Sequence, residues 1–119
     1  MDSHGKISFT WKKDVFELIV EDEFNEEGID VNVPLLKQSV LNKAPKNWKR
    51  IEMWDQKVLG SPETIKKCQS IWNWFTIKGC TKTAFVVSNN IQVQVLEKYA
   101  DKNSGIFLDI EKAYKWLQE

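Results

Sequence analysis

Residues 5–11 (GKISFTW) and 16–20 alternate apolar and polar side chains on either side of a charged Lys12, Lys13, Asp14 turn. Alternation of this kind marks half-buried strands, so the amino end predicts a β-hairpin. Beyond the acidic edge of Glu21, Asp22 and Glu23, and the closing Phe24, the period lengthens. Ile29, Val33, Leu36 and Val40 recur at four, three and four residues, with Asn25 placed to cap and Glu26 and Glu27 in the first turn, which predicts a helix. Pro34 removes one internal hydrogen bond and crowds the carbonyl of Asp30, so a kink or restart is expected near Asn32, with firm helix from there to about Lys43.

Alternation returns over residues 48–54, after the loop 44–47. Trp48, Arg50, Glu52 and Trp54 share one side, Lys49, Ile51 and Met53 the other, and Ile51 and Met53 are expected to form the packed side. The central helix that follows has a well-specified start. Gly60 relaxes the turn, Ser61 caps, Pro62 sits where its missing N–H is harmless, and Glu63 faces the positive end of the dipole. Ile65, Cys68, Ile71, Trp72 and Phe75 then share one face, from which Trp74 is excluded, and Gly79 supplies the stop. The apolar run 83–88 reads as a buried strand, completing a right-handed βαβ unit. Asn89 or Asn90 caps a helix striped by Ile91, Val95 and Tyr99 and widened by Val93 and Leu96. Residues 106–108 form a short last strand, and Asp109 caps a final helix through Ala113, Trp116 and Leu117. The order ββαβαβαβ followed by a helix, without repeat or linker, predicts one α/β domain over residues 1–119.

Composition adds limits rather than an activity. No apolar run is long enough to span a membrane, the first residues lack the apolar stretch of a signal peptide, and a cytoplasmic protein is expected. Net charge is zero but segregated: residues 1–32 hold nine acids and three bases, residues 33–82 three acids and ten bases. Mutual neutralisation of these surfaces is the simplest reading. A basic surface near the central helix, meeting an anionic partner, is the other.

Catalytic chemistry finds no foothold. His4 is the sole histidine, no serine stands in a GxSxG elbow, and neither glycine-rich phosphate loop occurs. Cys68 and Cys80 form no CxxC pair, and with His4 they fall short of a four-ligand zinc site. No metal and no cofactor are expected, and the acidic cluster at residues 21–30 reads as a solvated strand edge and helix start. Trp48, Trp54 and Trp74 have no evident inward place, so Trp54 and Trp74 are expected to stay exposed, with a homodimer as one way of covering them. A neutral total charge argues against nucleic acid.

Segments FNEEGI (24–29), AFVVS (84–88) and IFLDIEKAYKWL (106–117), with the His4–Gly5 pair, resemble the SpoIIAA-like family of the STAS and SEC14 fold group. The matching residues are His4, Gly5, Phe24, Asn25, Gly28, Phe107, Asp109, Ala113, Trp116 and Leu117, mostly packing and capping positions. The resemblance implies a small bacterial cytoplasmic protein with a mixed sheet of about five strands and about four helices packed mainly on one side. Its anti-anti-sigma relatives carry a phosphorylated serine in an Asp-Ser-x-Gly turn. The matching LGSPET keeps only Ser61, which favours a cap over a phosphosite.

The function expected from the sequence is therefore non-enzymatic: a binding or regulatory domain. It would contact a protein partner through the loop and helix start around Ser61, using Trp54, Lys57, Ser61, Glu63, Lys66, Lys67 and Trp74. The alternative is a carrier or sensor of a lipid or other small apolar or anionic ligand.

Overall fold

In the computed structural model, which describes residues 2–119, Lys13 at φ 55° turns the first hairpin. Strands β1 (Lys6–Lys12) and β2 (Val15–Glu21) pair antiparallel. Next come β3 (Trp48–Trp54), β4 (Cys80–Val86) and β5 (Ser104–Phe107), each parallel to its predecessor, giving one mixed five-stranded sheet in chain order. The crossovers are α1 (Glu26–Lys43), α2 (Pro62–Ile77) and α3 (Asn90–Tyr99), and α4 (Ile110–Leu117) follows the last strand. The caps are those the sequence predicts: Asn25 accepts from the amide of Gly28, Ser61 from Thr64, Asn89 from Gln92 and Asp109 from Glu111. Gly79 takes a φ of +108° just past α2, a conformation that disfavours any Cβ.

Three helices cover one face of the sheet and one covers the other. Residues of α1, α2 and α3 pack with Phe16, Leu18, Val20, Phe85 and Val87, whereas Ala113 and Leu117 of α4 close over Val15, Ile51 and Ala84. Cross-strand partners share a face, and Phe16 pairs with Arg50, Leu18 with Glu52 and Val20 with Trp54. The side of β3 that meets three helices is thus Trp48, Arg50, Glu52 and Trp54, the reverse of the expected assignment. Ile51 is buried beneath α4 and Met53 is half-buried on that same side. Two tryptophans outweigh an isoleucine and a methionine in apolar area, and the charged pair between them is neutralised internally.

Other expectations are corrected by the same kind of detail. Helix α1 runs unbroken through Pro34, whose ring faces solvent and whose lost partner, the Asp30 carbonyl, belongs to an exposed residue. Asn32, the expected break, instead ties α1 to the first strand: its Nδ2 donates to the Gly5 carbonyl and its Oδ1 accepts from Ile7 N–H. On α3 the buried stripe is Gln92 and Leu96, and Ile91 is 60% exposed. Trp48 is fully buried, its Nε1 donating to the Lys78 carbonyl at 3.0 Å.

Phe75 is the point where the two halves of the main core meet, edge-on to Phe16 and Trp48 and 4.6 Å from the Arg50 guanidinium carbon. Phe75→Ala is expected to lose about 3 to 5 kcal/mol in urea unfolding, the range for a large aromatic cut from a core. A loss below about 1 kcal/mol would contradict this packing.

Candidate functional site

The residues singled out in the sequence do not assemble into one surface. Trp54 faces inward, half-buried, edge-on to Phe85 with its indole N–H donating to Glu52 Oε1 at 3.1 Å. Trp74 is also half-buried, its ring against Phe75 and beneath the ammonium groups of Lys37 and Lys78. The expected exposure of both indoles is therefore corrected: Trp54 follows the reversed face of β3, and Trp74 is covered by flanking lysine stems. Lys67 bridges to Asp30 of α1 at 2.8 Å, which holds its ammonium above the ordinary range. That contact joins the acidic and basic segments of the chain. Lys57, Ser61, Glu63 and Lys66 remain exposed.

What the fold does build lies directly beneath them. A cavity of about 70 Å³ sits between the sheet and helices α1 and α2, roofed by residues 58–60 of the loop that leads into α2. Its wall is made of Leu18, Val20, Phe24, Ile29, Val33, Leu36, Ile65, Ile71 and Trp72, among others. Ile65 and Cys68, expected to be fully buried, are half-buried because they line this space.

One wall residue is charged. Glu52 is 6% exposed and lines the cavity, and its Oε2 accepts from Arg50 Nε at 2.9 Å while Oε1 takes the Trp54 indole. Arg50, 2% exposed, stacks against Phe75 and Phe85 and is not part of the lining. Paired charges in a sheet interior are seldom a source of stability, because desolvation cancels much of their attraction. Cys68 lies on the same wall, and burial, reinforced by the Glu52 carboxylate and opposed by Arg50, pushes its thiol up to about 12. Burial likewise raises the Cys80 thiol, and both cysteines are free.

The roof is pinned from outside by Gln92, fully buried at the start of α3. Its Nε2 donates to the carbonyls of Asp55 and Val58, and its Oε1 accepts from Ser88 N–H. Phe24 N–H donates to the Leu59 carbonyl, closing the opposite margin. Beyond Phe24 opens a polar recess of about 490 Å³ formed by His4, Asp22, Glu23, Asn25 and Lys57, and the Phe24 ring belongs to both linings. No sequence signal marked this arrangement except the pairing of Arg50 and Glu52 between two tryptophans. Among the described residues no cluster of three or more His, Cys, Asp or Glu side chains is arranged for a metal ion.

The Cys68 thiol gives the cavity wall a chemical readout. Its folded value exceeds the ordinary 9.0, so its contribution to stability is intact below pH 9 and is lost as pH rises from 9 towards 12. Below pH 9 its thiolate fraction is well below that of an ordinary thiol, so iodoacetamide followed by peptide mapping should label Cys68 only in unfolded protein. Rapid labelling in the native state at pH 7.5 would contradict the enclosed wall.

No protein-family model matches the sequence, and no curated protein matches it. Among solved structures, it is similar to an uncharacterized protein of the DUF3478 family with a SpoIIAA-like fold from Shewanella loihica PV-4. The TM-score is 0.64 at 17% sequence identity, over 98% of this chain and 97% of that one. At that identity the likeness concerns architecture alone. A mixed five-stranded sheet in chain order, with three helices on one face and one on the other, is here a SpoIIAA-like fold.

Proposed function

We propose that this protein is a non-enzymatic binding module that senses a small, predominantly apolar molecule held in the cavity between the sheet, α1 and α2. The observation that carries the reading is an almost wholly apolar cavity placed under an exposed, well-anchored loop. Ligand sites of drug size run to about 300 to 1,000 Å³, so this cavity suits a molecule of few non-hydrogen atoms. An acyl chain would require α2 to move away from α1. Phe24 belongs to the linings of both the cavity and the polar recess, which makes that side the shortest route between them. The STAS and SEC14 resemblance agrees with such a use.

Xenon tests the cavity without regard to polarity, because it occupies apolar voids by dispersion alone. Under xenon pressure, amide shifts are expected to move at Ile65, Cys68 and Ile71, and Val33→Phe should abolish the response by filling the space. Uniform small shifts throughout the chain would sink the reading.

A second reading, contact with a protein partner at the Ser61 loop, is supported by the exposure of Lys57, Ser61, Pro62 and Glu63, on and just after a loop that Gln92 holds at Asp55 and Val58. Ser61 Oγ accepts from Thr64 N–H at 3.1 Å and lies 3.0 Å from Thr64 Oγ1, so its hydroxyl is engaged as a cap. Ser61→Ala is expected to lose about 0.5 to 2 kcal/mol, and Ser61→Asp to keep most of the stability, since aspartate caps equally well. Partner binding should survive both. Loss of a co-purifying protein on Ser61→Asp, with the fold intact, would restore the phosphosite.

A further inference from the structure

We propose that the cavity selects its occupant by a hydrogen-bond donor: a compact apolar body bearing one N–H or O–H group, directed at the Glu52 carboxylate. This rests on the cavity reading and adds a chemical class to it. An ionised carboxylate offers about four acceptor positions. Glu52 fills two, one on each oxygen, with Arg50 Nε and the Trp54 indole N–H. Glu52 is more than nine-tenths buried and belongs to the cavity lining, so a further donor would reach it from within the cavity rather than from bulk solvent.

Its neighbours sharpen the selection. The Thr64 hydroxyl is engaged with Ser61 and the Trp54 N–H with Glu52, which leaves the carboxylate as the dominant polar feature of an apolar lining. An anion would meet the negative charge of Glu52, while the compensating Arg50 stands behind it against Phe75 and Phe85, outside the lining. Core stability gives no reason for the pair, since matched apolar residues commonly replace a buried ion pair without loss. Donor recognition does.

Pyrrole and furan are five-membered rings of nearly equal size, and only pyrrole carries an N–H. Amide-shift titration of the wild-type protein is expected to show pyrrole bound at least about tenfold more tightly than furan, the contrast set by one hydrogen bond to a charged acceptor. Propionate should not compete. In the double variant Arg50→Met with Glu52→Leu, which keeps the core apolar and filled, the preference should fall to about twofold or less. Glu52→Gln serves as the second variant, and a reduced preference is expected there too. Equal binding of furan and pyrrole, a preference that persists in the double variant, or tighter binding of propionate would each overturn donor selection. If xenon enters while both rings are refused, donor selection fails and the cavity reading stands; if xenon is refused as well, both fail.

Discussion

An arginine and a glutamate two residues apart in the central strand, both turned into the main core, set the terms for everything around them. Each charge must be matched where it lies, so Arg50 is fixed between Phe75 and Phe85 and Glu52 is fixed by Arg50 and the indole of Trp54. A slip of one residue in the pairing of β2 with β3 would move the ion pair beneath α4 and leave its partners behind. The pair contributes little net stability and much specificity of register. It also places Glu52 in the lining of an unfilled apolar space in that core.

The segregation of charge along the chain serves the same core. Lys67 on α2 reaches Asp30 on α1, so helices with opposite charge excess lie side by side over the cavity. An exposed, solvent-screened pair of this kind adds little stability compared with the apolar packing beneath it. Its value is orientation, since α1 and α2 form two of the cavity's walls. On its outer side α1 leaves Val31, Leu35 and Leu41 exposed. The stripe read from the sequence, Ile29, Leu36 and Val40, is nevertheless the buried one.

Much of the architecture was legible because it is encoded locally. Asn25, Ser61, Asn89 and Asp109 each sit immediately before a periodic segment and each caps a helix. The mixed sheet and the uneven division of helices needed more, and there the resemblance carried by FNEEGI and IFLDIEKAYKWL supplied the expectation, while the order of strands in the sheet came only with the structure. The reversed face of β3 has a plain cause. A hydropathy ranking turns Arg50 and Glu52 outward and Ile51 inward, whereas partners on the same strand, on the adjacent β4 and on α2 decide the matter. Gln92 drew no expectation from the sequence, yet its amide satisfies three backbone groups of two loops. The cavity could not be read at all, because it is the space that side chains distant in sequence fail to fill.

Strands laid side by side in chain order, with a helix for the second face supplied only after the last strand, have a consequence for synthesis on the ribosome. Each strand emerges next to a neighbour that is already complete, so the sheet can grow outward from the hairpin without waiting for a later segment to be inserted. The face lined by Val15, Ile51 and Ala84 has no such advantage. It stays uncovered until residues 110–117 have left the exit tunnel. During that interval the nascent protein carries a finished main core and a naked second face, the surface a holding chaperone would recognise.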